Sequence, residues 1–228
     1  MTQDTPQPGP TGQDDEKRLA ADAAADLAEA GMTLGLGTGT TVAHLLPALA
    51  RRGLDLRCVA TSPATAVAAR ALGLRVEPFD DVDRLDLAID GADQVAPTFW
   101  LVKGGGAAHT REKLVAAAAD RFVVIADSTK VVDALSAPVP LELMAFGLAA
   151  TLRRLDQVVV RGVPRSPDGG VIADYTGPVG DPGSLAARLS DTPGVVEHGL
   201  FPPDLVSAVI VGRGPHAVLL DRGGPVRS

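Results

Sequence analysis

Between Lys103 and Lys113 the chain reads KGGGAAHTREK, which places a lysine, three consecutive glycines and Glu112 within ten positions. Consecutive glycines let backbone amides approach a ligand with no Cβ in the way. Lys103 supplies a full positive charge, and Glu112 a carboxylate three residues after His109. A base, a cation and a row of amide donors suit a reaction that moves a proton while an oxyanion forms. The same letters also describe a flexible turn before a solvated helix face, so the neighbouring stretches decide. Residues 35–41 read GLGTGTT, and Thr38, Gly39, Thr40 and Thr41 offer amides and hydroxyls to a phosphate. The glycines at 35, 37 and 39 are spaced G-x-G-x-G rather than as the dinucleotide G-x-G-x-x-G, and no lysine follows as in a P-loop. The next apolar run ends in Thr61-Ser62, without the acidic residue that holds an adenosine ribose. A single phosphate therefore fits better than a dinucleotide.

Asp90-Gly91-Ala92-Asp93 sets two carboxylates around a tight turn, where they grip sugar hydroxyls or share a proton. The alternative is an Asp-rich turn that caps its own amides. Asp127-Ser128-Thr129-Lys130 puts another lysine just past an apolar run, which is also the ordinary place for a solvated loop lysine. Lys17 and Arg18 read first as a solvated pair. Four polar clusters at the ends of apolar runs are harder to assign to turns together than singly.

Strands are expected over 32–36, 56–60, 74–79, 85–89, 99–102 and 121–126. Helices are expected over 17–30, 42–52 (with Pro47 a possible kink), 63–72 and from 114. Strands alternating with helices predict an α/β fold with a largely parallel sheet, whose strand ends carry ligands. After about residue 134 the texture changes. Pro138-Val139-Pro140 reads as a linker, 142–155 as a helix, 157–163 and 170–175 as strands joined by the turn at 166–169, and 184–189 as a helix. Residues 207–211 and 217–220 read as a hairpin that rejoins the first sheet. The expected division is a disordered leader over 1–15, a catalytic domain over 16–133 plus 205–228, and a small α+β domain over 134–204.

The chain has 228 residues, 46% of them hydrophobic and 21% charged, a composition of soluble globular proteins. A net charge of −7 argues against a general nucleic-acid surface. No apolar run reaches the length of a membrane span, and no secretory signal opens the chain. The single cysteine, Cys58, lies in an apolar run and reads as a core residue of a cytoplasmic protein. His44, His109, His198 and His216 lack metal-ligand spacing.

With these motifs in hand, the chain resembles ribose-5-phosphate isomerases of the A type from about Lys17 to its C-terminus. The resemblance is strongest between Met32 and Lys130. Thr38-Gly39-Thr40-Thr41 matches the family's phosphate loop, Asp90-Gly91-Ala92-Asp93 its aspartate turn, and Lys103-Gly104-Gly105-Gly106 its lysine-glycine turn. Arg111-Glu112-Lys113 follows at the family's spacing, and Lys130 matches a substrate-contacting lysine. The resemblance implies a Rossmann-like sheet flanked by helices, with a smaller α+β, ferredoxin-like domain. It implies interconversion of D-ribose 5-phosphate and D-ribulose 5-phosphate in the non-oxidative pentose phosphate pathway, with no cofactor or metal. Glu112, Lys103, Asp90 and Asp93 would be catalytic. Residues 38–41, Gly91, Ala92, residues 104–106, Lys130 and Lys17 would bind substrate. A homodimer or homotetramer is expected, an exposed sheet edge of the small domain pairing between subunits. Gln94 stands where the family usually has an acidic residue, and His109 where an apolar one is typical. The second half matches mostly in layout, best at PGVVEHGLF, 193–201. The rival readings are a non-catalytic sugar-phosphate sensor and an acyl-CoA transferase with Glu112 as nucleophile.

Overall fold

Phe122–Asp127 reads FVVIAD and every one of its residues is buried, as expected of a parallel strand covered on both faces. It lies inside the larger sheet, between two parallel neighbours, in a computed structural model that describes residues 10–220. In chain order the strands are Thr33–Leu36 (β1), Arg57–Ala60 (β2), Arg75–Val76 (β3), Leu87–Gly91 (β4), Gln94–Val95 (β5), Leu101–Val102 (β6), Phe122–Asp127 (β7), Val139–Leu143 (β8), Val158–Val160 (β9), Val171–Tyr175 (β10), Val195–His198 (β11), Leu200–Phe201 (β12), Ala208–Arg213 (β13) and His216–Leu220 (β14). The helices are Pro10–Ala25 (α1), Thr40–Arg51 (α2), Pro63–Ala71 (α3), His109–Ala117 (α4), Leu148–Leu155 (α5) and Pro182–Ser190 (α6).

The seven-stranded sheet runs β14-β13-β7-β4-β1-β2-β3, parallel throughout except for the β13–β14 pair. Val42, Leu45, Leu46 and Leu49 form a helical stripe on α2, which is buried with the small face of α1 (Ala20, Ala21, Ala24) and the inner residues of β1, β4 and β7. Pro47 sits inside α2 without ending it. A second cluster covers the other face, joining Val115 and Ala116 of α4 to Phe122, Val124 and Phe201. A four-stranded antiparallel sheet, β11-β8-β10-β9, packs on α5 and α6 around Leu141, Leu143, Leu155 and Leu189.

Four expectations are corrected. Residues 99–102 do not form a strand of the parallel sheet. Phe99 has φ 65°, which breaks extended backbone, so only Leu101–Val102 pairs, within a three-stranded antiparallel sheet β12-β6-β5. The stretch 138–155 is neither a linker nor one helix. Val139, Leu141 and Leu143 anchor an interior strand, while the helix begins only after Gly147 at φ 71°. Pro140 is tolerated inside that sheet because its carbonyl, not the missing N–H, makes the bond to Gly199 (2.7 Å). The strand expected over 74–79 shortens to Arg75–Val76, and a 3₁₀ turn begins after Pro78. Finally, α1 starts at Pro10, inside the stretch expected to be disordered, because its alanine face packs on α2, β7 and β13. Residues 1–9 of that expected leader lie outside the described residues.

Candidate active site

The exits of β1, β4, β6 and β7 and the start of α4 surround one cavity of about 100 Å³. It is lined by residues 38–41, 91–93 and 103–106 with Glu112 and Lys130. Three of these exits belong to the parallel sheet. Lys103 arrives from the small antiparallel sheet, whose backbone fixes it through its N–H to the Gly199 carbonyl (2.8 Å).

One end of the cavity suits an anion. Gly39 precedes α2 at φ 120°, a conformation that favours glycine, and no side chain caps the helix. The first amides of α2 are thus directed at the cavity beside the Thr40 and Thr41 hydroxyls, at the positive end of the helix dipole. Thr38 has a different task. Its N–H donates to Asp90 Oδ1 (3.0 Å), and its hydroxyl lies 2.8 Å from that of Thr61 and 3.4 Å from that of Thr65. Thr65 in turn donates to the Gly37 carbonyl (2.9 Å). Thr61 and Thr65 therefore shape the loop, a role the sequence did not mark. Close approach also matters here, since a Cβ on Gly37 would fall 1.9 Å from the Asp90 carboxylate.

The other end holds a buried charge cluster. Lys103, Asp90 and Glu112 are 2%, 3% and 4% exposed. Lys103 Nζ donates to the Gly91 carbonyl (2.5 Å) and makes ion-pair contacts with Asp90 Oδ2 (2.9 Å) and Glu112 Oε2 (3.1 Å). Burial opposes the charge on Lys103, but the two carboxylates outweigh it and hold the ammonium above its usual range. Burial pushes the Glu112 carboxyl up to about 8; the negative charge of Asp90 adds to that rise, and Lys103 opposes it. Asp90 is also raised by burial, against the pull of Lys103. The two carboxylates share one ammonium, and the raised Glu112 carboxyl suits a group that accepts and returns protons near neutrality.

Asp93 Oδ2 accepts the Gly105 N–H (2.7 Å), so that amide is committed to the turn, and Gly104 and Gly106 remain as donors for an oxyanion. Arg161 completes the turn from the small sheet. It donates to the Gly104 and Gly105 carbonyls (2.9 and 3.2 Å) while paired with Asp174 (2.6 Å). No sequence signal distinguished it from a surface arginine. Lys130 lines the cavity from the 3₁₀ turn after β7.

Lys17 is not among the cavity-lining residues. Its neighbour Glu16 is buried and does the fixing, accepting from the Ser128 N–H and hydroxyl (2.9 and 2.7 Å) and from the Gly214 N–H (2.8 Å). Gln94 turns away to bond Ser136. His109 packs behind Gly104, fully buried, against the Glu197 backbone. Burial pushes its pKa down to about 4, so it is neutral at pH 7. No group of His, Cys, Asp and Glu among the described residues has the arrangement of a metal site.

The family model for ribose 5-phosphate isomerase A (phosphoriboisomerase A) matches residues 57–215. The ribose-5-phosphate isomerase A of Caulobacter sp. (strain K31) is 46% identical over 222 residues, covering 91% of this chain and 98% of that protein. The crystal structure of ribose 5-phosphate isomerase A from Neisseria gonorrhoeae superposes with a TM-score of 0.88 at 31% identity, over 92% of this chain and 97% of the other. A structure of D-ribose-5-phosphate isomerase in complex with phospho-erythronic acid superposes with a TM-score of 0.87 at 34% identity, over 92% and 99%. The motifs, the fold and these likenesses agree: the chain belongs to the ribose 5-phosphate isomerase A family.

Proposed function

We propose that this protein interconverts D-ribose 5-phosphate and D-ribulose 5-phosphate, an aldose–ketose step of the non-oxidative pentose phosphate pathway. The observation that carries the reading is the Lys103–Glu112 contact of 3.1 Å, buried in the same small cavity as the uncapped start of α2. The phosphate binds at residues 39–41, with Lys130 adding positive charge. Anchoring there, away from the reacting carbons, lets binding energy orient C1 and C2. Glu112 removes the proton from C2 of the open-chain aldose and returns it to C1. Lys103 and the Gly104 and Gly106 amides stabilise the enediolate oxygen. Asp90 holds the ammonium in place, and Asp93 holds the glycine turn and meets the sugar hydroxyls. A relative's complex with phospho-erythronic acid, an acid carrying phosphate on a short polyol chain, fits the same pairing of anion cradle and oxyanion site.

A sensor on this fold has no need of a base and an ammonium in contact, and an acyl-CoA transferase would form a thioester on Glu112 that trapping would detect. We place the enzyme in the cytoplasm, as a homodimer or homotetramer. We read residues 16–133 plus 205–228, of which 221–228 lie outside the described residues, as its catalytic domain and 134–204 as its smaller domain. The test is turnover of the purified protein in buffer containing EDTA, coupled to ribulose 5-phosphate formation, with allose 6-phosphate and arabinose 5-phosphate in parallel. Ribose 5-phosphate is expected to be the preferred substrate. Binding of ribose 5-phosphate without turnover would favour the sensor instead.

A further inference from the structure

Residues 197–201, outside the cavity, contact both Lys103 and the residue that follows Glu112. Three observations meet there. The Lys103 N–H donates to the Gly199 carbonyl (2.8 Å), and the Gly199 N–H to the Pro140 carbonyl (2.7 Å). A Cβ on Gly199 would lie 2.1 Å from the Lys103 carbonyl oxygen, so only glycine allows this approach. Lys113, the residue after Glu112 on α4, reaches the other way. Its Nζ donates to Glu197 Oε1 (2.6 Å) and the His198 carbonyl (2.7 Å). The Phe201 ring, fully buried on the strand that pairs with Leu101–Val102, has Lys103 Nζ 5.3 Å and Lys113 Nζ 5.0 Å from its centroid.

We propose that residues 197–201 form a positioning strap that sets the distance between the ammonium and the base, with Lys113, Glu197, Gly199 and Phe201 as positioning residues. The helix carrying Glu112 is only nine residues long and has no side-chain cap. Helices of that length are not stable alone, so tertiary contacts determine where its first turn lies. Lys113, just past that turn, is one tether beside Thr110 and Arg111, and its partners sit one and two residues before the glycine that grips the backbone of Lys103. The Lys113 ammonium also lies 3.3 Å from His198 Nδ1. His198 is buried and shifted down to about 4, hence neutral at pH 7, with Nδ1 accepting the Leu200 N–H (3.2 Å) and Nε2 facing the Ser190 hydroxyl (3.1 Å). His109, on the same helix turn, is neutral as well. The strap thus grips the lysine by its backbone and the glutamate through the next side chain, while Thr110 on Glu142 and Arg111 on Asp168 (2.7 Å) fix the start of the same helix.

This inference rests on the isomerase reading, and the two fail differently. If the reading is wrong, the parent protein does not turn over ribose 5-phosphate. If the strap is wrong, the parent is active and its variants remain so. Lys113→Met keeps the side-chain stem and removes the ammonium. Its kcat is expected to fall about 10- to 100-fold, because a displacement of about 1 Å at a reacting pair has that effect. KM for ribose 5-phosphate should stay within about twofold, since the phosphate cradle is untouched. Lys113→Arg should restore part of the loss. Glu197→Gln, which keeps an acceptor, should show the same kcat-selective loss in milder form, and carries the test alone if Lys113→Met does not fold. Parental kcat in the folded variants would overturn the proposal. So would a loss matched by the unfolded fraction in thermal melts and not rescued by arginine.

Discussion

Glu112 is at once the most unfavourable and the most useful residue of the site. Its carboxyl is buried, stands near a second carboxylate and is held by one shared ammonium. Burial and Asp90 raise its pKa to about 8. A general base must be ionised, so kcat/KM should climb as pH rises toward 8 and level off above it. Asp90→Asn removes a negative charge that disfavours ionisation of Glu112, so the acid limb of its profile should move to lower pH even as turnover falls. A parent profile already flat near pH 5, or an acid limb that moves upward in Asp90→Asn, would contradict this assignment. The sequence displayed Glu112 and Lys103 by type and spacing. It could not display their contact, because that depends on burial and on the strap. It also gave no sign that Lys113, beside Glu112, faces a different partner, or that His109 fills space behind Gly104. Residue letters show which groups are available; the direction each points is settled by packing.

Among the elements, those with a local cause were legible. The apolar stripe of α2, the all-apolar run of β7 and the Ser62-Pro63 start of α3, where Ser62 accepts the Thr65 N–H (3.1 Å), fall where their patterns put them. Elements that depend on distant partners were misread. Residues 138–140 read as a linker and 142–155 as a helix, yet 139–143 make an interior strand because two other strands pair with them. The run 99–102 looks like a strand of the main sheet, but the left-handed turn at Phe99 leaves two residues to pair elsewhere. This matters to the site, because Lys103 is carried by that small sheet. The parallel sheet places the anion cradle and the aspartates, while the antiparallel pieces place the ammonium and tether the base.

At the scale of the whole molecule, the four-stranded sheet reaches the cavity twice, through Arg161 on the glycine turn and through the strap. It also carries conspicuous exposed apolar surface: Phe146 is 88% exposed, Val159 58% and Met144 50%. Large exposed apolar side chains and a free sheet edge are features that association covers. On that ground the proposed homodimer or homotetramer should appear by light scattering as a multiple of the 23.3 kDa chain. Phe146→Asp should shift it toward the single-chain mass, and a parent protein that already runs at that mass would contradict the proposal. Among the described residues no helix is long and apolar enough to cross a membrane.

The central claim is that a buried carboxylate, held 3.1 Å from a buried ammonium, moves the substrate proton. The most direct measurement is the turnover of ribose 5-phosphate by Glu112→Gln, with binding of the substrate to the same variant measured by calorimetry. The account predicts a fall in kcat of about 10²-fold or more, as for loss of a general base, with binding largely kept through the Thr40–Thr41 cradle. Turnover close to that of the parent enzyme would contradict it.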